Sequence, residues 1–102
     1  MRHSYGNINE NATKKSGTSD WTVVKDSDKG VYTIIFDPQF NTMPTVVTDQ
    51  NYPGWDDFNK SGGDSRDNSV IIALSKEKCK LKIGDSHGDG RDRNFTFIAI
   101  GE

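Results

Sequence analysis

Leucine and alanine are scarce. Together they number 5 in 102 residues against 14 for valine and isoleucine, while Ser, Thr, Asn and Asp supply 37. That balance favours strands and turns and excludes a helical bundle. Cysteine occurs once, at Cys79, so no internal disulfide can form and the redox compartment stays open. Long apolar runs are missing: the longest, Val70 to Leu74, has five residues, where a bilayer-spanning helix needs roughly 20. No apolar stretch follows Arg2 in the manner of a secretory signal, and the chain is expected to be soluble, unprocessed and without membrane insertion. Positive charge is not in excess either. A formal net charge of -2 gives no general attraction to nucleic acid or an anionic membrane. Hydrophobic residues make up only 31%, a thin supply for one core, so the fold either has small layers or covers apolar surface with further copies of itself.

What is present reads as one domain. Residues 1–19 are polar, with Tyr5 and Ile8 as their apolar anchors, and are expected to form an N-terminal arm or peripheral strand ahead of a β-sandwich domain over 20–102. From Trp21 onward, six β-rich runs alternate with turn clusters: Trp21 to Lys25, Val31 to Phe36, Thr45 to Gln50, Ser69 to Ser75, Cys79 to Gly84 and Phe95 to Ile100. No 3.6-residue apolar period accompanies them. The expected fold is therefore all-β, a six-stranded antiparallel sandwich or barrel.

The pleat assigns faces. Cys79, Leu81 and Ile83 alternate with Lys78, Lys80 and Lys82, which makes Cys79 an inward-facing small hydrophobe and the lysines a solvated stripe. Two other runs are apolar on both faces, Val70 to Leu74 and Phe95 to Ile100, although a two-layer sandwich covers only one face of each sheet. Two covers are open to the outer faces: the N-terminal arm with the long loop, or a neighbouring subunit. The thin apolar supply favours the subunit.

Two loops carry polar chemistry. Asn51 to Asp67 spans 17 residues and sets Tyr52, Trp55 and Phe58 beside Asp56, Asp57, Asp64 and Asp67. Aromatic faces next to carboxylates and amides suit a sugar, whose C–H face stacks on a ring while its hydroxyls bond short polar side chains; the same aromatics could equally pin the loop to the sandwich. In the second loop, Gly84 to Asn94, the residues Asp85, Asp89 and Gly90 occupy three positions of a helix-loop-helix calcium site. His87 and Thr96 stand where further ligands belong and the flanks are strands, so no metal is assigned. His3 and His87 are the only histidines, too few for a structural zinc site with one cysteine. Ser86 beside His87 lacks a nucleophile elbow or an oxyanion-hole signature. The chain reads as non-catalytic and without a cofactor.

A run of features from Gly6 to the last residues carries a family resemblance. Trp21, Tyr32-Thr33-Ile34-Ile35-Phe36, Phe40, Met43-Pro44-Thr45-Val46-Val47, Arg66 ahead of an apolar strand and the closing Phe95-Thr96-Phe97-Ile98-Ala99-Ile100-Gly101 stand in that order. Together they resemble the H-type lectin domain. They also resemble the C-terminal head domains of bacterial collagen-like proteins and phage tail fibres, where an ending like Asp92-Arg93-Asn94-Phe95-Thr96-Phe97-Ile98-Ala99-Ile100-Gly101 is common.

The resemblance implies a six-stranded antiparallel sandwich assembled as a homotrimer, placed outside the cell, on its surface or on a virion. It implies a glycan of the N-acetylgalactosamine or galactose type, held near the subunit boundary by an acidic residue, an Arg and a His. Those positions fall on Asp28 or Asp26, Arg66 and His87. The lectin pattern has a Trp before that His and a Tyr after it; here Ser86 precedes His87 and Asp92 stands near the later position, so Trp55 is the candidate for the stacking surface. The alternative the same resemblance supports is a trimerisation head without a ligand.

Overall fold

The structure, a computed structural model, describes residues 1–102. It contains eight strands: β1 Arg2–Ile8, β2 Lys14–Gly17, β3 Trp21–Lys25, β4 Val31–Phe36, β5 Thr45–Gln50, β6 Asn68–Leu74, β7 Lys78–Gly84 and β8 Phe95–Gly101, with no helix. They form two four-stranded sheets, β2-β1-β8-β5 (sheet A) and β3-β4-β7-β6 (sheet B), in which every pairing is antiparallel. The all-β sandwich class agrees with the sequence, but there are eight strands rather than six. Both additional strands lie within residues 1–19. β1 is an inner strand of sheet A, paired with β2 on one side and β8 on the other, and β2 is the edge.

The reason β1 escapes a hydrophobic pattern is its inward set. Ser4, Gly6 and Ile8 face inside and His3, Tyr5 and Asn7 face out, so only one of the buried three is a large apolar residue. Gly6 is required by its neighbour across the layers: a Cβ there would sit 2.0 Å from Cζ2 of Trp21. Trp21 fills that space and donates its Nε1–H to the Tyr5 carbonyl at 3.0 Å. Ser4 is fully buried and gives its hydroxyl to Asp20 at 2.6 Å, where Arg2 and Thr18 also donate. Partial burial pushes the Asp20 carboxyl up, and these three bonds outweigh it, holding the group below the usual carboxylate range.

Between the sheets lies an aromatic-rich core. Trp21 meets Phe97 edge-on at 5.0 Å between ring centroids, Phe36 meets Phe40 edge-on at 5.0 Å, and Tyr32 tilts against Phe95 at 4.8 Å. These geometries match the ring quadrupoles and add to simple area burial. Cys79, Leu81 and Ile83 are fully buried as the alternation requires, and burial pushes the Cys79 thiol up to about 11.

The outer faces differ. On sheet A, the β1–β8–β5 register sets Tyr5, Ile98 and Val47 in one cross-strand row and His3, Ile100 and Thr45 in the next. Tyr5, Ile98 and Val47 are 51%, 51% and 65% exposed. The N-terminal strand does not cover this face, because it lies beside β8 in the plane of the sheet. Sheet B presents Lys78, Lys80 and Lys82 from β7, with Val70 and Ile72 exposed on the edge strand β6 where a bulge interrupts its pairing.

Candidate functional site

The antiparallel order gathers four connections at one end of the sandwich: residues 9–13, 26–30, 51–67 and 85–94. All six residues that the sequence nominates stand on these loops, at three places.

The first place is the β3–β4 turn. Gly30, with φ +78°, lies so close to the Ile83 carbonyl that a Cβ would sit 2.2 Å from that oxygen. Its N–H donates to Asp92 at 2.7 Å, and Lys25 reaches the same carboxylate at 3.1 Å. Burial pushes Asp92 up, and the Gly30 and Lys25 contacts outweigh it to leave the carboxyl below its ordinary range. Asp26 accepts the Asp28 N–H and faces Lys80 at 3.7 Å; that N–H first, and the lysine with it, hold its carboxyl down. Asp28 is exposed, and its carbonyl takes a bond from Lys25 at 2.7 Å.

The second place is a cleft of about 300 Å³ between the long loop and the β7–β8 loop, bordered by Tyr52, Asp64, Asp67 and His87. Arg66 turns its fork onto Asp64 at 3.1 and 3.0 Å, and this pairing pulls the Asp64 carboxyl down to about 2. The guanidinium is thus committed to a partner two residues away, and a ligand must compete for it. His87 is exposed at the tip of a turn closed by Asp85, whose carboxylate accepts the His87 and Asp89 N–H groups and pairs with Arg91 at 2.7 Å. The Arg91 guanidinium, above all, pulls Asp85 down to about 2. The calcium-like spacing of Asp85 and Asp89 is therefore a loop-closing device. The long loop is anchored by a nearly buried pair: Arg93 lies 3.4 Å from Asp67, donates to Gln50 at 2.8 Å and stacks 5.1 Å from the centre of the Tyr52 ring.

The third place surrounds Trp55. Its ring is half exposed, and Lys15 of β2 holds its ammonium 3.3 Å from the ring centroid, a contact worth about 0.5–1 kcal/mol at an exposed site. Beside them opens a cavity of about 350 Å³ bounded also by Asn7, Asn51 and Asn94. The six nominated residues therefore share one end of the molecule. His87 alone of them lines the cleft and Trp55 alone lines the cavity; Asp26, Asp28, Arg66 and Asp92 border neither.

No family model, curated protein or solved structure matches this chain. What the loop end can do rests on its own chemistry. It displays ring faces, amides, carboxylates and guanidinium groups. The three asparagines and Lys15 were not nominated from sequence. Asn7 and Lys15 fall in the Asn- and Lys-rich stretch 7–15, and Asn51 and Asn94 stand at the ends of the two long loops, but no spacing joins the four into a site.

Proposed function

We propose that this chain is a non-catalytic, carbohydrate-binding lectin or adhesin module that binds glycans through its loop end and works as a homotrimer or a multiple of one. The observation that carries the reading is the exposure of Trp55 and Tyr52 among side-chain amides and charged groups on loops that the sandwich holds in place. Ring faces and mixed donors and acceptors are what a pyranose needs. Asp28, Arg66 and His87 remain the proposed contacts for a sugar of the N-acetylgalactosamine or galactose type, with Asp26 and Asp92 shaping the adjoining turn. Assembly is supported by the exposed row of Tyr5, Ile98 and Val47, a surface that water leaves poorly satisfied and a second copy would cover. A lectin or adhesin of this kind acts outside the cell, on its surface or on a virion.

A second reading draws on that same apolar row: a trimerisation head of a fibrous or tail-type protein, with no ligand. A glycan array probed with the purified protein, together with its mass in solution, separates the two. Binding to a defined set of glycans by a trimer is the expected result. A trimer that binds nothing on the array favours the head, and a monomer at micromolar concentration overturns the assembly common to both.

A further inference from the structure

We propose that the cavity between the β1–β2 hairpin and the long β5–β6 loop is a subsite for acidic saccharides, with Trp55 as its platform and Lys15 as its counter-charge. This rests on the glycan reading above and adds to it a location and the charge of the ligand.

The cavity, at about 350 Å³, lies at the small end of the range typical of ligand sites and fits one or two sugar rings. Its polar groups have bonding capacity in hand. Asn7 gives its Nδ2 to Ser16 at 2.8 Å and keeps its Oδ1 uncommitted. Asn94 takes the Glu10 N–H on its Oδ1 at 2.8 Å and keeps its Nδ2 hydrogens uncommitted. Asn51 bonds through its main chain to the Asn94 carbonyl at 2.8 Å, while its side-chain amide has no protein partner. One uncommitted acceptor, one uncommitted donor group and one whole amide make a wall suited to hydroxyls, which donate and accept at once.

Lys15 is the only ionisable residue lining this cavity. Carboxylates border the adjacent depressions and not this one: Asp92 is already paired with Lys25, Glu10 is exposed to solvent, and Asp57, on the other side of Trp55, is exposed as well. In the free protein the Lys15 ammonium has a ring face for a partner. That arrangement discriminates between ligands. A neutral sugar seated on Trp55 must move the ammonium off the ring and gives it no new charge. A sugar bearing a carboxylate or sulfate moves it and pairs with it, so the cation–π contact is exchanged for an ion pair and the ring face is released to the sugar.

The test uses the full chain and follows Trp55 by fluorescence, since Trp21 is buried and Trp55 is exposed. The probes are methyl glucuronide, N-acetylneuraminic acid and galactose 6-sulfate, set against methyl glucoside and galactose; the first two acids carry a carboxylate and the third a sulfate, so the arms also identify the anion. At least one acid should bind at least tenfold more tightly than the uncharged sugars and weaken as salt is raised. By calorimetry, Lys15→Gln should weaken that acid at least tenfold and Trp55→Ala should abolish its binding, whereas Lys60→Gln, which removes a charge elsewhere on the loop, should leave it unchanged. Both altered positions are exposed, so melting temperatures should stay with the parent. Equal binding of acidic and uncharged sugars, or an unaffected Lys15→Gln, overturns the acidic subsite and leaves the glycan reading standing. Binding that depends on Arg66 and His87 but not on Trp55 also overturns it. If no probe binds and the glycan array is blank, both readings fall.

Discussion

Between its sheets the molecule leaves almost nothing uncommitted, whereas its loop end keeps side chains in reserve. Ser4, Trp21 and Tyr32 are buried, and each gives its polar hydrogen to a named acceptor, Asp20, the Tyr5 carbonyl and the Glu10 carbonyl. At the loop end, Asn7, Asn51 and Asn94 line a cavity with amide atoms that no protein group satisfies. Buried groups must be paired because an orphan loses its water without compensation. Groups facing a wet cavity lose nothing, and can therefore wait for a ligand. Stability thus rests on the interior, and the groups available to a ligand under the proposed function lie at the loop end.

The sharpest way to break that separation is to damage the interior. Phe97 packs against Trp21 and Phe36 and is 2% exposed. Phe97→Ala should cost about 3–5 kcal/mol by chemical denaturation, the range for an aromatic deleted from a packed core. Gly6→Ala should be severe as well, since its Cβ would overlap the Trp21 ring. Cys79 serves as an internal reporter: with its thiol pushed up to about 11 by burial, it should resist a thiol reagent at pH 8 in the parent and react as either variant opens. A thiol that reacts at once in the folded parent would contradict the packing.

The second test concerns the outer face of sheet A, which belongs to neither category. Ile98 sits centrally in the row with Tyr5 and Val47. Ile98→Asp leaves the single-chain core untouched and places a charge where the proposed subunit contact would bury it, so assembly should fail while the monomer still folds. Sedimentation and circular dichroism together read this out. A variant that keeps the parent's mass would move the interface elsewhere, with the β6 edge at Val70 and Ile72 the next surface to alter.

How much of this was legible in the sequence depends on what each strand presents. β3, β4 and β5 begin and end where β-rich runs and turn residues put them: β3 and β4 carry large apolar side chains at alternate inward positions, and β5 is marked by Val46 and Val47 between β-favouring threonines. β1 was not legible as an inner strand: its inward Ser4 and Gly6 are small because Asp20 and Trp21 fill the space opposite. β2 is exposed along its whole length, so no hydrophobic signal marks it. The 17-residue loop was legible from its length between two β-rich runs and from Tyr52, Trp55 and Phe58 set among its aspartates. The Trp55 cavity was not, since it joins residues 7, 15, 51, 55 and 94, and an asparagine in a list of asparagines carries no sign of its neighbours. The Arg66–Asp64 pairing is a local contact, yet the resemblance directed attention to Arg66 as a ligand and away from the carboxylate that holds it.

The third test removes loop-end contacts. Under the proposed function, Asp28→Ala, Arg66→Ala and His87→Ala should each weaken sugar binding by about 1–3 kcal/mol, the loss from an unpaired hydroxyl, while melting temperature barely moves. Arg93→Ala should behave differently. Arg93 is nearly buried between Asp67, Gln50 and Tyr52, so its loss should loosen the long loop and lower stability as well as binding. If Arg66→Ala and His87→Ala bind as the parent does, the sugar contacts lie elsewhere on the loop end.

The smallest expected effect is a pH response confined to the loops. Asp64 and Asp85 are each pulled down to about 2 by an arginine partner, against about 3.9 for an unperturbed aspartate. A carboxyl held below its unfolded value contributes stability that is complete above the unfolded value and is lost as pH falls through the folded one. The ordering these pairs supply should therefore be intact at pH 5 and decline between about pH 4 and pH 2. The Asp64–Arg66 pair is open to solvent, which screens it, and Asp85, though buried, pairs with a half-exposed Arg91, so the global melting temperature should fall only gently. The local signal should be clearer. The His87 and Asp89 amides donate to Asp85, and their proton shifts should titrate with a midpoint well below 3.9, together and ahead of any change at core residues such as Phe97. A midpoint at the ordinary aspartate value would mean that the Asp85–Arg91 clasp does not hold in solution. The turn presenting His87 would then be loose at every pH, and a ligand that uses His87 would first have to order it.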